Sequence, residues 1–154
     1  MASTLKVTLT ENLTLGGTDY SSQKTLSLAT ITNVYKTIVN VSTSGGEVLA
    51  LASAAGNIGT LDKDNIEYMR ITNLDTTNYV ELGFEDTSGN NAYFVKLDAG
   101  RSFIVPTPNL TTEKPTFFAN DGGHVTGSHV DINSITADAH TAACNIEIMV
   151  AMNG

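Results

Sequence analysis

The chain has 154 residues, 41% hydrophobic and only 16% charged, with a formal net charge of −8. A chain of this length forms one domain and buries enough surface to need no disulfide or metal staple. The low charge excludes disorder and a coiled coil, and the excess of acid with no cluster of Lys or Arg argues against direct nucleic-acid binding and against adhesion to anionic lipid.

Thr (22), Asn (14) and Ser (11) fill the place of the missing charges. Thr favours strands, and Asn, Ser and Gly favour turns, so composition points to an all-β domain with polar loops. The longest apolar runs, Val48–Ala52 and Ile148–Met152, fall far short of the ~20 residues of a membrane helix. The N-terminus has no basic-then-apolar signal segment. Cys144 is the single cysteine, which excludes an intrachain disulfide and a thiolate zinc cluster and fits assembly in a reducing cytoplasm.

In chain order, Leu5, Val7 and Leu9 alternate with Lys6, Thr8 and Thr10, the period-2 pattern of a half-buried strand. Leu13 and Leu15 continue it up to the Gly16-Gly17 turn, and residues 1–15 are expected as an N-terminal arm or edge strand. Thr25–Ile31 alternates, and Tyr35–Val41 does so more strongly. Glu47–Ala55, fenced by Gly46 and Gly56, is short for a helix and reads as a strand with Leu49 and Leu51 inward. Asn57–Asn65 reads as a loop, Ile66–Thr72 as a strand and 73–78 as a polar turn.

Tyr79–Glu85 places Val80, Leu82 and Phe84 on one face; Asp86–Asn91 is a hairpin connection and Ala92–Leu97 the return strand. Asp98-Ala99-Gly100 turns the chain into Ser102–Val105, which Pro106 and Pro108 end. Thr107–Pro115 is a loop, Phe117-Phe118 a short strand and Asp121-Gly122-Gly123 a turn. Val130–Ile135 is a weak strand, and Ala143–Met152 a clean one with Cys144, Ile146, Ile148, Val150 and Met152 on one face. Eight to ten short strands at this spacing predict a single-domain, jelly-roll-like β-sandwich over 1–154, with an immunoglobulin-like sandwich as the second choice.

No residue set carries catalytic chemistry. His124, His129 and His140 stand near Asp121, Asp131 and Asp138, but without the spacing of ligands on a strand or helix, and read as solvated loop histidines. Asp62-Lys63-Asp64-Asn65-Ile66-Glu67 resembles a calcium loop but has Glu67 where the turn glycine belongs and Asn73 at the twelfth position, so it reads as a solvated turn. Cys144 shares its face with aliphatics and reads as core. There is no Gly-x-Ser-x-Gly elbow and no phosphate loop after Gly45-Gly46 or Gly122-Gly123. No spacing singles out a glycosidase-like carboxylate pair. The expectation is no catalytic, cofactor or metal residues, and no enzyme. Of the aromatics Tyr68, Tyr79, Phe84, Tyr93, Phe94 and Phe103, most follow the buried register, with Tyr79 and Tyr93 the ones placed for exposure.

Two stretches carry a resemblance: 68–84, Tyr68-Met69-Arg70-Ile71-Thr72-Asn73-Leu74 through Val80-Glu81-Leu82-Gly83-Phe84, and 93–106, with Lys96-Leu97-Asp98-Ala99-Gly100-Arg101-Ser102-Phe103 closed by Pro106. They resemble small β-sandwich structural proteins of tailed bacteriophages, including marine and cyanobacterial ones. The resemblance implies a non-enzymatic virion component assembled in the host cytoplasm. A capsid decoration (cement) protein that binds the major capsid protein is the first expectation, and a neck, tail or fibre-associated protein the second. Partners would be further copies of itself, with a trimer favoured by the local three-fold points of an icosahedral lattice, and other virion proteins, but neither nucleic acid nor membrane. Readings of another class are a carbohydrate-binding module, which would expose aromatics on one face, and a small jelly-roll enzyme, which would gather His and carboxylates in a pocket.

Overall fold

The structure is a computed structural model and describes residues 2–52, 59–86, 92–106, 119–120 and 129–154, with side chains except at 106, 119–120 and 129–130. It is all-β. The strands are β1 (Ser3–Glu11), β2 (Thr14–Leu15), β3 (Thr18–Asp19), β4 (Ser22–Ile31), β5 (Asn33–Val41), β6 (Gly46–Ala52), β7 (Thr60–Asp62), β8 (Ile66–Asn73), β9 (Val80–Glu85), β10 (Ala92–Leu97), β11 (Ser102–Pro106), β12 (Ala119–Asn120), β13 (His129–Val130), β14 (Ser134–Ala139) and β15 (Cys144–Met152).

Two sheets face each other. One runs β11-β8-β15-β5, the other β10-β9-β14-β6-β7. The antiparallel pairs β5–β15, β6–β14, β8–β11 and β9–β10 are nested along the chain, first with last and inward from there. A ribbon of four nested pairs rolled into two sheets is a jelly roll. The expected sandwich is thus present, with its topology.

Alternation places the core. Met69 and Ile71 of β8, Val80, Leu82 and Phe84 of β9, Ile135 of β14 and Ile146, Ile148 and Val150 of β15 are fully buried between the sheets. Their neighbours in sequence point outward, as a pleated strand requires.

Two segments depart from expectation. Asn57–Asn65 is not only loop: Thr60–Asp62 pairs parallel to β6, and Lys63–Asn65 forms one turn of 3-10 helix, capped by Asp62 Oδ1 accepting from Asp64 N. A parallel add-on strand of three residues is too short for period-2 alternation to show. Val130–Ile135 is not one strand: β13 ends at Val130 and β14 begins at Ser134 and runs on to Ala139. Small Ala137 and Ala139 face the core there, a weak apolar signal for buried positions. The Thr107–Pro115 loop, Phe117-Phe118, the Asp121-Gly122-Gly123 turn, His124 and most of the Asp86–Asn91 connection lie outside the described residues.

Outside the sandwich, β1 and β4 form a hairpin of their own, with β2 and β3 at its tip. The Leu15–Thr18 pair is closed by Gly16 and Gly17, both at positive φ (58° and 82°), as a two-residue turn of matching twist requires. Of the expected arm 1–15, the described residues from Ser3 onward are one side of a hairpin that returns through Ile31. Near its base the register slips between Ser3 and Leu5, opposite Thr30 at φ 63°, and the chain bends there into β5.

Candidate functional site

Among the described residues, the His140 side chain stands apart from Asp131 and Asp138. The His140 ring stacks on Tyr79, centroids 4.4 Å apart, and Lys96 Nζ sits 4.5 Å over the same Tyr79 ring. His129 lies in β13, with its side chain outside the described part. Asp131 pairs with Lys63, whereas Asp138 lies beside the Gly45 turn. Among the described residues no three His, Cys, Asp or Glu side chains are placed to hold a metal ion. No helix among them is long and apolar enough to cross a membrane. Cys144 is buried; its Sγ donates to Ala142 O at 3.3 Å, and burial, with the Asp75 carboxylate as a second cause, pushes the thiol up. A thiol held protonated in this way is a poor nucleophile.

The solvated turn expected at 62–67 is corrected at Lys63. Its side chain is 3% exposed, with Nζ 2.7 Å from Asp131 Oδ2 and 2.9 Å from Asn133 Oδ1. A buried ammonium is retained only where partners replace its water, and those partners lie far along the chain.

The outer face of the β10-β9-β14-β6-β7 sheet carries a cleft of about 330 Å3. Gly83 forms its floor, because a Cβ there would stand 2.4 Å from Thr136 Oγ1 and 3.1 Å from the Phe94 ring. Glu81, Glu85 and Asp138 line it, and Thr136 Oγ1 donates to Glu85 Oε1 at 2.7 Å. Phe94 is 57% exposed beside it. Carboxylates accept from hydroxyl donors, and an aromatic face packs on apolar ring surfaces, so the cleft can hold a hydroxyl-rich ligand. Sequence reasoning weighed Phe94 among the aromatics and Asp138 beside the histidines but brought none of these residues together. Of the six aromatics weighed from the sequence, Tyr93 and Phe94 are exposed, whereas Tyr79 is half-buried under His140 and Lys96. The β9–β10 register brings Phe94 opposite Gly83, where it finds no side chain to cover it.

The outer face of the other sheet is polar in its middle. Glu147 bridges Lys36, at 3.0 Å, and Arg70, and the Lys36 hydrogen bond foremost holds its carboxyl below the usual carboxylate range. At one end of this face the hairpin base packs down: Leu5, Val7, Leu26, Leu28 and Ile31 cover Tyr68, Met149 and Ala151. Beyond that base every residue from Thr8 to Thr25 is exposed, so both faces of the hairpin stand clear of the body. This free half carries Leu9, Leu13, Leu15 and Tyr20, each more than half exposed, with Leu15 at 67%. An apolar notch of about 370 Å3 lies at its root, lined by Val7, Leu9, Leu26 and Ile104. On the opposite edge, β5 pairs among the described residues with β15 alone over its nine residues and shows Val34 and Ile38 to solvent.

No protein-family model matches the chain, and no curated protein matches it. Among solved structures it is similar to that of Bacillus endospore appendages, a family of disulfide-linked pili, at 12% identity and a TM-score of 0.43, over 78% of this chain and 86% of that one. At that level the likeness carries no inference about what this chain does.

Proposed function

We propose that the chain is a non-enzymatic structural subunit that assembles with copies of itself through its projecting hairpin, and that its place is a bacteriophage virion, as a capsid decoration protein on the shell. The virion setting rests on the resemblance of 68–84 and 93–106; a neck or tail position would use the same contacts. The observation that carries the assembly reading is the free half of the hairpin. A two-stranded ribbon is at best marginal alone in water, and one that exposes three leucines and a tyrosine gains by burying them against a neighbour. The same stripe already packs on the sheet at its base, so the distal residues continue a surface built for packing.

Each buried leucine contributes about 1.5–3 kcal/mol, on the order of a tenfold to hundredfold in association. Light scattering on the intact chain is expected to find a closed oligomer, with a trimer the form that fits a shell. Leu13→Lys with Leu15→Lys is expected to give folded monomers, because neither residue touches the sandwich core. An intact protein that stays monomeric at high concentration and does not bind capsids lacking it would overturn the reading, as would a lysine variant that assembles normally.

A second reading rests on the Gly83-floored cleft with Phe94 beside it: a glycan-binding surface. Titration with a panel of oligosaccharides, followed by NMR of the β9–β10 amides, should then shift Gly83 and Phe94, and a Phe94→Ala variant should lose the response. Amides that do not move across the panel would dismiss it.

A further inference from the structure

Lys63 opens the turn that joins β7 to β8, and Asn133 immediately precedes β14, 70 positions away in the chain. The primary amine of the first lies 2.9 Å from the side-chain oxygen of the second, and 2.7 Å from a carboxylate oxygen of Asp131. The Asn133 amide is held for that meeting. Its Nδ2 donates to Asp131 O at 3.2 Å, its backbone N–H to Glu85 O at 2.8 Å, and its backbone carbonyl accepts from Leu51 N at 2.8 Å. Ile132, between the two partners, is fully buried, and Leu51 and Leu61 nearby in the same sheet are buried too. An ion pair alone would need only Lys63 and Asp131. The third group, a carboxamide against the same amine, completes the set that forms an amide by aminolysis: nucleophile, acyl group and proton carrier.

We infer that Lys63 and Asn133 become joined by an intramolecular isopeptide bond, with Asp131 carrying the protons. Asp131 takes a proton from the Lys63 ammonium, leaving a free amine. The amine electron pair forms the Nζ–Cγ bond to Asn133. Asp131 passes its proton to Nδ2, the Cγ–Nδ2 bond breaks with its electron pair on nitrogen, and ammonia leaves. The new amide nitrogen returns its surplus proton to Asp131, which gives it up to solvent. Nothing is oxidised or reduced, and no co-reactant is consumed. Fixed proximity to a buried amine supplies what a free lysine and asparagine lack, and each molecule needs to react only once. The bond ties the β7–β8 junction to the start of β14 and closes a covalent loop across one end of the sheet, which constrains the unfolded chain as a disulfide would.

Intact-mass spectrometry of the denatured full chain is the test. The expected mass is lower than the sequence requires, after any loss of Met1, by one ammonia. A tryptic digest is expected to contain a branched peptide joining Lys63 to Asn133, with no cleavage after Lys63. Lys63→Arg and Asp131→Asn should each return the full mass. A wild-type chain that keeps its full mass after long incubation below its melting temperature overturns the proposal, and Lys63 is then only an ion-pair partner. Loss of ammonia without the branched peptide also overturns it, since that marks a succinimide at an asparagine, with Asn153-Gly154 the most reactive pair. The wild-type measurement decides the matter even if a variant does not fold.

Discussion

Phe84→Ala is expected to lower the folding free energy by about 3–5 kcal/mol, the range for a fully buried aromatic truncated to alanine. Phe84 is the penultimate residue of β9 and has no exposed surface. Its ring meets Phe103 of β11 at 5.7 Å and Tyr93 of β10 at 6.3 Å, both tilted. Phe103 belongs to the opposite sheet, so the contact spans the sandwich, and the cavity left by alanine would be walled by strands that cannot close on it. For a domain of this size the loss corresponds to a drop in melting temperature on the order of 10 °C. Phe84→Leu, which refills most of the volume, should lose much less. Urea unfolding checks both. A loss under about 1 kcal/mol for alanine would mean that the sheets repack freely, against the close packing of protein interiors.

The second large effect is polar. Asn73 is fully buried at the end of β8. Its Nδ2 donates to Asn78 O at 2.9 Å and to Leu97 O at 3.1 Å, and its Oδ1 accepts from Asp75 N at 2.9 Å. One side chain thus closes the 73–78 turn and ties it to the end of β10. Within that turn the Asp75 carboxylate accepts from the backbone of Asn78 at 2.7 Å and Thr77 at 2.8 Å, and these bonds, Asn78 foremost, hold its carboxyl low. Asn73→Leu keeps the volume but strands two carbonyls and one N–H, at about 1–3 kcal/mol for each group left buried without a partner. Asn73→Asp should also destabilise: it can still accept from Asp75 N, but it sets a carboxylate against two carbonyl oxygens. The unfolding midpoint should fall with the denaturant slope unchanged. A leucine variant within 1 kcal/mol of wild type would show that water reaches these groups.

Asn73 also marks how far the sequence could be read. From the residues alone, 73–78 was legible as a polar turn, because Asn, Asp and Thr fold back on their own backbone. That Asn73 points inward and holds Leu97 depends on β8 and β10 standing in different sheets, which the local sequence does not encode. Phe84 was legible as inward by alternation, but its meeting with Phe103 across the sandwich was not. Lys63 shows the limit most plainly. Among Asp62, Asp64 and Asn65 it reads as one more polar residue, and only the approach of Asp131 and Asn133 makes burial affordable.

The amino-acid sequence by itself determined that the chain is all-β, where its principal strands run, which side chains of each face inward, and that Gly16-Gly17 makes a tight reversal. These are local properties: strand pleat, turn chemistry and positive φ act within a few residues. Tertiary structure alone decided the nesting of β5 with β15 and β6 with β14, the overhang of a hairpin whose leucines alternate no differently at its covered base and its exposed tip, the cleft above Gly83, and the meeting of Lys63, Asp131 and Asn133. Each depends on which strands become neighbours, and neighbours far apart in the chain are chosen by the packing of the whole core rather than by any one segment.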